Sequence, residues 1–260
     1  MKHLLTIAGS DSSGGAGIQA DLKTFAAHGT FGMSVITAVT AQNTTGVTRI
    51  QNIDAEVVAA QIDAVFSDIH VDAVKVGMVS ITPIIETIAK KMKAYVPSYL
   101  VVDPVMVATS GAYLLEETAR RTLLEKLLPL ASVITPNMME GEVLSGMTIR
   151  SKDDMEKAAH AILDACGAAV LLKGGHLAQT ADDYLLEKDG RGTWLLGRHI
   201  DNSNTHGTGC SLSSALASEL ALGHTLPEAA QLAKDYVHSA LSMAFLSVMG
   251  TAYPSLCLSL

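Results

Sequence analysis

Two glycine-rich segments of the chain have the residue types needed to approach phosphate groups. The first spans residues 9–17 and has four glycines in nine residues, which lets the backbone come close to a ligand. The second spans residues 205–211, reads Thr-His-Gly-Thr-Gly-Cys-Ser, and precedes a segment rich in Ala and Leu. Because amides at the start of a helix attract anions, we predict an anion hole at Gly207, Thr208 and Gly209.

Cys210 follows this anion hole and is predicted to lie in the first turn of the helix. A helix start lowers the pKa of a thiol, so a reactive thiolate is expected there. Two alternatives stay open at this point. Cys210 is a small buried residue, or it forms a nucleophile–base pair with His206 for acyl transfer. The second alternative lacks the G-x-C-x-G or G-x-S-x-G turn of such enzymes.

Charged and amide side chains follow three of the predicted strands. Asn137 and Glu140 are one helical turn apart, a spacing that can order the water shell of Mg²⁺. Asp103 ends another strand and is assigned to the same metal region, and Lys173 ends a third and can neutralise phosphate charge. Each residue also has an ordinary structural interpretation, as part of a helix start or as a solvated charge.

Together these residues predict phosphoryl transfer, with an anion hole, a base, a metal-ordering pair and a lysine. Residues 15–20 also fit a G-x-G-x-x-A dinucleotide fingerprint. The second strand, however, ends at Thr40-Ala41-Gln42 and offers no acidic residue for a ribose hydroxyl, which disfavours NAD.

Alternating strands and helices must position these loops. Short apolar runs predict strands at residues 4–8, 34–40, 73–76, 100–103, 132–135 and 168–172, with further short strands within 182–196. Helical patterns cover 54–70, 116–128 and 151–163, and others begin at Thr82 and after Thr225. This order predicts an α/β fold with a mostly parallel sheet, helices on both faces, and ligands at the carboxyl ends of the strands.

Composition narrows the class of protein. The chain has 260 residues, 48% of them apolar, 17% charged and only 4% aromatic, with a formal net charge of −8. An acidic chain without a basic run is not expected to bind nucleic acid. No apolar run is long enough to span a membrane, and the three cysteines have no metal-ligand spacing, so a cytoplasmic protein is expected.

Five ordered motifs resemble those of one enzyme family. They lie at residues 8–24, 103–108, 135–140, 173–176 and 204–210. The chain resembles the hydroxymethylpyrimidine/phosphomethylpyrimidine kinases of thiamine biosynthesis, in the ribokinase-like superfamily, over about residues 3–248. The resemblance implies one three-layer α/β/α domain over residues 1–260 and a homodimer. It also implies two successive ATP- and Mg²⁺-dependent phosphorylations of a pyrimidine, and leaves a monovalent-cation requirement open.

The resemblance also implies residue roles. Cys210 matches the position of the catalytic base, and Asn137, Glu140 and Lys173 match the nucleotide and Mg²⁺ region. The positions that contact the pyrimidine in the family correspond to Ala16, Asp21, Gln42, Met78 and Val105. Two alternatives are kept: a pyridoxal or pyridoxine kinase on the same scaffold, and a non-catalytic protein that binds the vitamin precursor.

Two segments depart from the family pattern. The family has a lysine where this chain has Thr109, and residues 250–260 lack the histidine-rich ending common in relatives. If the family lysine helps to order a loop over the phosphates, Thr109 weakens the assignment of that role to this loop.

Overall fold

The strands of the described residues form a single nine-stranded β-sheet. The structure is a computed structural model and describes residues 1–43, 45–106, 115, 117–175, 181–197 and 206–244. Within these residues the strands, in chain order, are β1 His3–Asp11, β2 Phe31–Asn43, β3 Gly46–Asn52, β4 Ala73–Val76, β5 Tyr99–Val102, β6 Val133–Ile134, β7 Ala169–Leu172, β8 Asp183–Leu186 and β9 Gly192–Leu195.

The sheet order is β3-β2-β1-β4-β5-β6-β7-β8-β9. The six strands from β2 to β7 in this order run parallel, and β3, β8 and β9 join antiparallel at the two sides. Of these six strands, β4, β5, β6 and β7 are short and almost wholly buried, as expected for strands covered on both faces. Their carboxyl ends therefore lie along one edge of the sheet.

The helices cover both faces of this sheet. They are α1 Gly17–Ala27, α2 Ala55–Phe66, α3 Thr82–Tyr95, α4 Glu117–Thr122, α5 Met138–Ser145, α6 Lys152–Cys166, α7 Thr208–Leu222 and α8 Leu226–Ala244. A π-helical turn, Leu123–Leu127, and a 3₁₀ turn, Leu128–Leu130, follow α4. The sequence predicts one continuous helix here. The structure differs because Pro129 has no N–H to continue the α-helical ladder.

Alternate strand residues build two separate cores. Leu5 and Ile7 of β1 pack with residues of α2, α3 and α6, whereas Leu4 packs with residues of α1, α7 and α8. The result is three layers, with the sheet in the middle, and the predicted fold class is confirmed. No helix among the described residues has the length and apolar character to cross a bilayer.

Apart from the predicted helix over 116–128, the structure has a strand or helix at each predicted position among the described residues, and it adds one strand that the sequence does not predict. The sequence pattern does not predict β3, which pairs antiparallel with the end of β2 and is largely exposed. An edge strand with few buried side chains has no continuous apolar run, so its periodicity is weak.

Candidate active site

The residues singled out from the sequence meet at the carboxyl ends of the parallel strands. The backbones of Asn137, after β6, and Lys173, after β7, are paired in a parallel bridge. The other strands that contribute are β1 and β2, which contain Asp11 and Gln42 near their ends, and β4 and β5, which precede Met78 and Asp103. The topology thus brings together segments that are separated by more than 150 residues in the chain.

Asp11 organises the first glycine-rich loop. One carboxylate oxygen accepts hydrogen bonds from the amide and hydroxyl of Ser13, each at 2.8 Å, and the other accepts from the amides of Gly15 and Ala16 at 3.1 and 2.8 Å. The Nε2 atom of His206 lies 3.0 Å from the second oxygen. Although burial raises the pKa of Asp11, the hydrogen bonds from His206 and Ser13 outweigh it and hold the pKa well below its usual range.

The second loop packs directly against the first. Gly207 has a φ of +83°, and a Cβ at this position would lie 1.8 Å from the carbonyl oxygen of Gly15. Only glycine fits both the backbone conformation and this close approach. Helix α7 then begins at Thr208 with no acidic residue in its first turn. The amides of Gly207, Thr208 and Gly209 are therefore at a helix start, as predicted for an anion hole.

Cys210 lies half-buried in the first turn of α7. Burial raises the pKa of its thiol to about 11. The nearby Asp21 and Asp103 carboxylates also raise this pKa, and the Lys75 ammonium and the Gly17 amide oppose them. The prediction of a low-pKa thiolate is therefore wrong for this structure. The helix start is present, but enclosure between α7 and α1 outweighs it.

The acyl-transfer alternative for Cys210 finds no support in the described contacts. His206 directs its Nε2 atom to Asp11, so that nitrogen is engaged by a carboxylate. A base for Cys210 would need the histidine within hydrogen-bond distance of the thiol.

A second group of charges surrounds Asp103, which is almost fully buried. Lys173 Nζ and Thr135 Oγ1 each lie 3.1 Å from Asp103 Oδ1. Burial lowers the pKa of Lys173, but the carboxylates of Asp103 and Glu140 outweigh it and raise the pKa above its usual range. The lysine is therefore charged next to the anion hole, and a Cβ at Gly209 would lie 3.3 Å from Lys173 Nζ.

Asn137 and Glu140 form the start of α5. Asn137 Oδ1 accepts a hydrogen bond from the Glu140 amide at 2.9 Å, and Glu140 Oε2 accepts one from the Asn137 amide at 2.8 Å. This is a capping box, so the structural interpretation of the pair is confirmed. Burial raises the pKa of Glu140 to about 7; Asp103 also raises it, and Lys173 lowers it.

Of the five residues assigned to the pyrimidine ring, three are partly exposed and one is mostly buried; these are Ala16, Gln42 and Val105, and Met78. Met78 is mostly buried and belongs to a small apolar cluster with Val105 and Ala38. Ala16 is half-buried in the first loop. Gln42 is half-buried, its Oε1 accepts a hydrogen bond from Thr40, and its backbone is bonded twice to Ser12 of the first loop.

Asp21 is the exception. Its carboxylate is fully buried and accepts hydrogen bonds from Lys75 Nζ at 2.8 and 2.9 Å, Thr6 Oγ1 at 2.5 Å and Ser214 Oγ at 2.7 Å. Direct contact with a substrate ring does not fit this enclosure. Asp21 instead joins α1 to β1, β4 and α7 beneath the site.

Lys75 is a residue that the sequence reasoning missed. It is fully buried, and its partner Asp21 outweighs the effect of burial and raises its pKa. A signal was present, because Lys75 interrupts the otherwise apolar run Ala73-Val-Lys-Val76. A lysine in a buried strand requires a charged partner.

Comparison with known proteins decides the family. The model of the phosphomethylpyrimidine kinase family matches residues 11–254. The chain belongs to this family. It is 52% identical over 242 residues to the hydroxymethylpyrimidine/phosphomethylpyrimidine kinase of Rhizobium meliloti (strain 1021), covering 92% of this chain and 90% of the relative.

Two solved structures show the same fold as this member of the kinase family. Phosphomethylpyrimidine kinase from Clostridium difficile 630 is 49% identical, with a TM-score of 0.82 over 92% of this chain and 99% of the other. Pyridoxal kinase from Bacillus subtilis, solved as an ADP complex, is 39% identical, with a TM-score of 0.87 over the whole of both chains. The ribokinase-like fold that the sequence implies is thereby confirmed.

Asp103 and Glu140 are the carboxylates next to Lys173 that could take part in holding a magnesium ion. The described residues contain no group of three or more His, Cys, Asp or Glu side chains placed to hold a metal. Asp103 is engaged by Lys173 and Thr135, and Glu140 by the start of α5. In a kinase of this family, one or two carboxylates acting through water, together with nucleotide phosphates, would suffice.

Some predictions fall on residues outside the described ranges. These are the end of the second motif at Val107 and Ala108, the departure at Thr109, residue 116 at the start of a predicted helix, His176, the lead into the second loop at Asn204 and Thr205, and the tail after residue 244.

Proposed function

We propose that this protein phosphorylates 4-amino-5-hydroxymethyl-2-methylpyrimidine with ATP, and then phosphorylates the monophosphate to the diphosphate used in thiamine diphosphate biosynthesis. The family match and the name of the 52% identical relative support both steps. In the structure, the carrying observation is the contact between the first glycine-rich loop and the start of α7 at Gly15 and Gly207. A ring held by the first loop would there face a phosphoryl group held by the second.

In the first step, the hydroxymethyl oxygen attacks the γ-phosphorus of ATP, a new P–O bond forms, and the bond to the β-phosphate oxygen breaks to release ADP. The amides of Gly207, Thr208 and Gly209 stabilise the charge on the transferred group, and Lys173 adds a positive charge beside them. When bound, Mg²⁺ supplies further neutralisation of the phosphates.

Cys210 is the proposed acceptor of the hydroxyl proton. Because burial raises its thiol pKa to about 11, Cys210 must lose its own proton before it can act as a base. In the second step, the nucleophile is a phosphate that is already anionic near neutral pH, so no base is required. The two steps should therefore depend differently on this residue.

Pyridoxal kinase is the second candidate, supported by the similarity to the Bacillus subtilis enzyme. Pyridoxal and hydroxymethylpyrimidine are both small aromatic rings with a hydroxymethyl group. Gln42 favours the pyrimidine, because an amide can both donate and accept hydrogen bonds along an aminopyrimidine edge.

We also propose a homodimer that acts in the cytoplasm. The family resemblance supports both, and Cys166 and Cys210 carry free thiols. Sedimentation of the purified protein would give the oligomeric state.

The test supplies hydroxymethylpyrimidine, its monophosphate and pyridoxal separately, and identifies each product by mass. Cys210→Ala should lose most of the first phosphorylation, by about 10²–10⁴-fold, and retain much more of the second. Cys166→Ala, which removes a thiol from α6 outside the site, is the control. If Cys210→Ala slows both steps by the same factor, Cys210 shapes the anion hole and is not the base.

A further inference from the structure

A side-chain hydrogen bond joins the two glycine-rich loops, and no role proposed above uses it. His206 Nε2 lies 3.0 Å from Asp11 Oδ2, although the two residues are 195 positions apart in the chain. Both side chains are well enclosed, with exposures of 16% for His206 and 2% for Asp11. In the chain, His206 immediately precedes Gly207, the first residue of the predicted anion hole.

The chemistry of Asp11 fixes the direction of this bond. An ionised carboxylate only accepts hydrogen bonds, so the hydrogen must be on Nε2 of His206. Asp11 Oδ2 then accepts from His206, Gly15 and Ala16, and Oδ1 accepts from Ser13. The same carboxylate therefore shapes the first loop and holds the residue that leads into the second.

Backbone contacts on both sides of this bond are equally close. Gly207, next to His206, packs against the carbonyl of Gly15. The Gly17 amide is directed towards Cys210 in the first turn of α7. A small shift between the loops would therefore change the distance from Ala16, assigned to the ring, to the anion hole.

We infer that His206 is a positioning residue, which holds the first glycine-rich loop in register with the anion hole through its hydrogen bond to Asp11. The inference rests on the proposed function, since the register matters for transfer from nucleotide to ring. A displacement of about 1 Å between reacting groups can slow a reaction by about 10²-fold. Loss of the bond should thus lower kcat in both phosphorylation steps.

The test compares His206→Gln with His206→Asn. Both side chains end in the same amide, but only glutamine is long enough to place its N–H near the position of the histidine Nε2 atom. We expect His206→Gln to keep kcat within about threefold of wild type, and His206→Asn to lose about 10- to 100-fold. His160→Gln, at an exposed position on α6, is the matched control.

Thermal melting of each variant separates positioning from loss of fold. A merely destabilised enzyme, assayed well below its Tm, would keep its kcat and its KM for ATP. We expect the asparagine variant to remain folded and to lose kcat while its KM for ATP changes less than about threefold. If it does not fold, Asp11→Asn with His206→Ala, each of which removes the hydrogen bond, tests by comparison with the two single variants whether the side chains are coupled.

Several outcomes would overturn the inference. Equal activity of His206→Asn and wild type would show that the bond does not position the loops, and equal loss in both variants would show that the donor at Nε2 is irrelevant. Additive effects in the double variant would show the same. A wild-type enzyme that phosphorylates neither pyrimidine would contradict the proposed function instead.

Discussion

The high thiol pKa of Cys210 predicts how the first phosphorylation depends on pH. The pKa of an unperturbed cysteine thiol is taken as 9.0, and burial raises the pKa of Cys210 to about 11. Two pKa units make the thiolate about a hundredfold rarer at pH 7 than for an exposed cysteine. If Cys210 accepts the hydroxyl proton, the first step should be limited by this small thiolate fraction.

The assay measures kcat/KM for each step between pH 7 and 9 at constant ionic strength, since kcat/KM reports the ionisation of the free enzyme. Below the thiol pKa, the thiolate fraction grows about tenfold per pH unit. The first step should therefore accelerate by about a hundredfold across this range. The second step should stay nearly level, because its phosphate nucleophile, with a second pKa of about 6, is already ionised.

Two results would refute this reasoning. A plateau of kcat/KM for the first step below pH 8, together with rapid alkylation of Cys210 by iodoacetamide at pH 7, would show that burial does not raise the pKa of the thiol. A rise with pH that persists in Cys210→Ala would show that another group accepts the proton. Peptide mass spectrometry distinguishes alkylation of Cys210 from that of Cys166, which is buried in α6.

Three further variants test the surrounding side chains. Gln42→Met should lower kcat/KM for the pyrimidine by about tenfold or more, and less for pyridoxal, because a substrate amine is left unpaired; equal losses would remove Gln42 from ring recognition. The Glu140 carboxyl has a native pKa of about 7 against an ordinary 4.5, so the protein holds more protons folded than unfolded between these values and loses stability as pH rises through them. Glu140→Gln keeps the helix cap, and its Tm should no longer fall as pH rises through this range. The variant should also need a higher Mg²⁺ concentration for half activity. An unchanged Mg²⁺ titration would place Glu140 outside the metal region. Lys75→Met leaves the fully buried Asp21 carboxylate without its ion-pair partner and should cost about 3–5 kcal/mol in chemical denaturation, part of which Asp21→Asn should restore; a loss below about 1 kcal/mol would contradict the ion pair.

The sequence predicts the fold well because its strongest signals are local. Runs such as residues 73–76 and 169–172 are apolar and short, and each is followed by a loop with glycine or charge. Parallel strands place those loops at one edge without further information. For this reason Asp103, Asn137 and Lys173 are brought together as predicted.

The remaining features depend on contacts between distant segments. Asp21 and Lys75 are 54 residues apart, and nothing near Asp21 in the sequence announces its partner. The Cys210 thiol pKa depends on how closely α1 covers the start of α7, which a helix-start rule does not include. Both departures have the same origin, since burial decides which charges are free to meet a ligand.

Helix α7 is held at its start by two buried ion pairs. Ser214 donates to Asp21, the partner of Lys75, and the neighbouring Ser213 lies 3.4 Å from Asp103, the partner of Lys173. Consecutive serines thus tie the helix to two aspartates from different parts of the fold. The predicted anion hole is the first turn of this helix, so under the proposed function its amides would be fixed before a phosphoryl group arrives. Amides that are already oriented need no reorganisation during transfer, which is where such sites gain most of their effect.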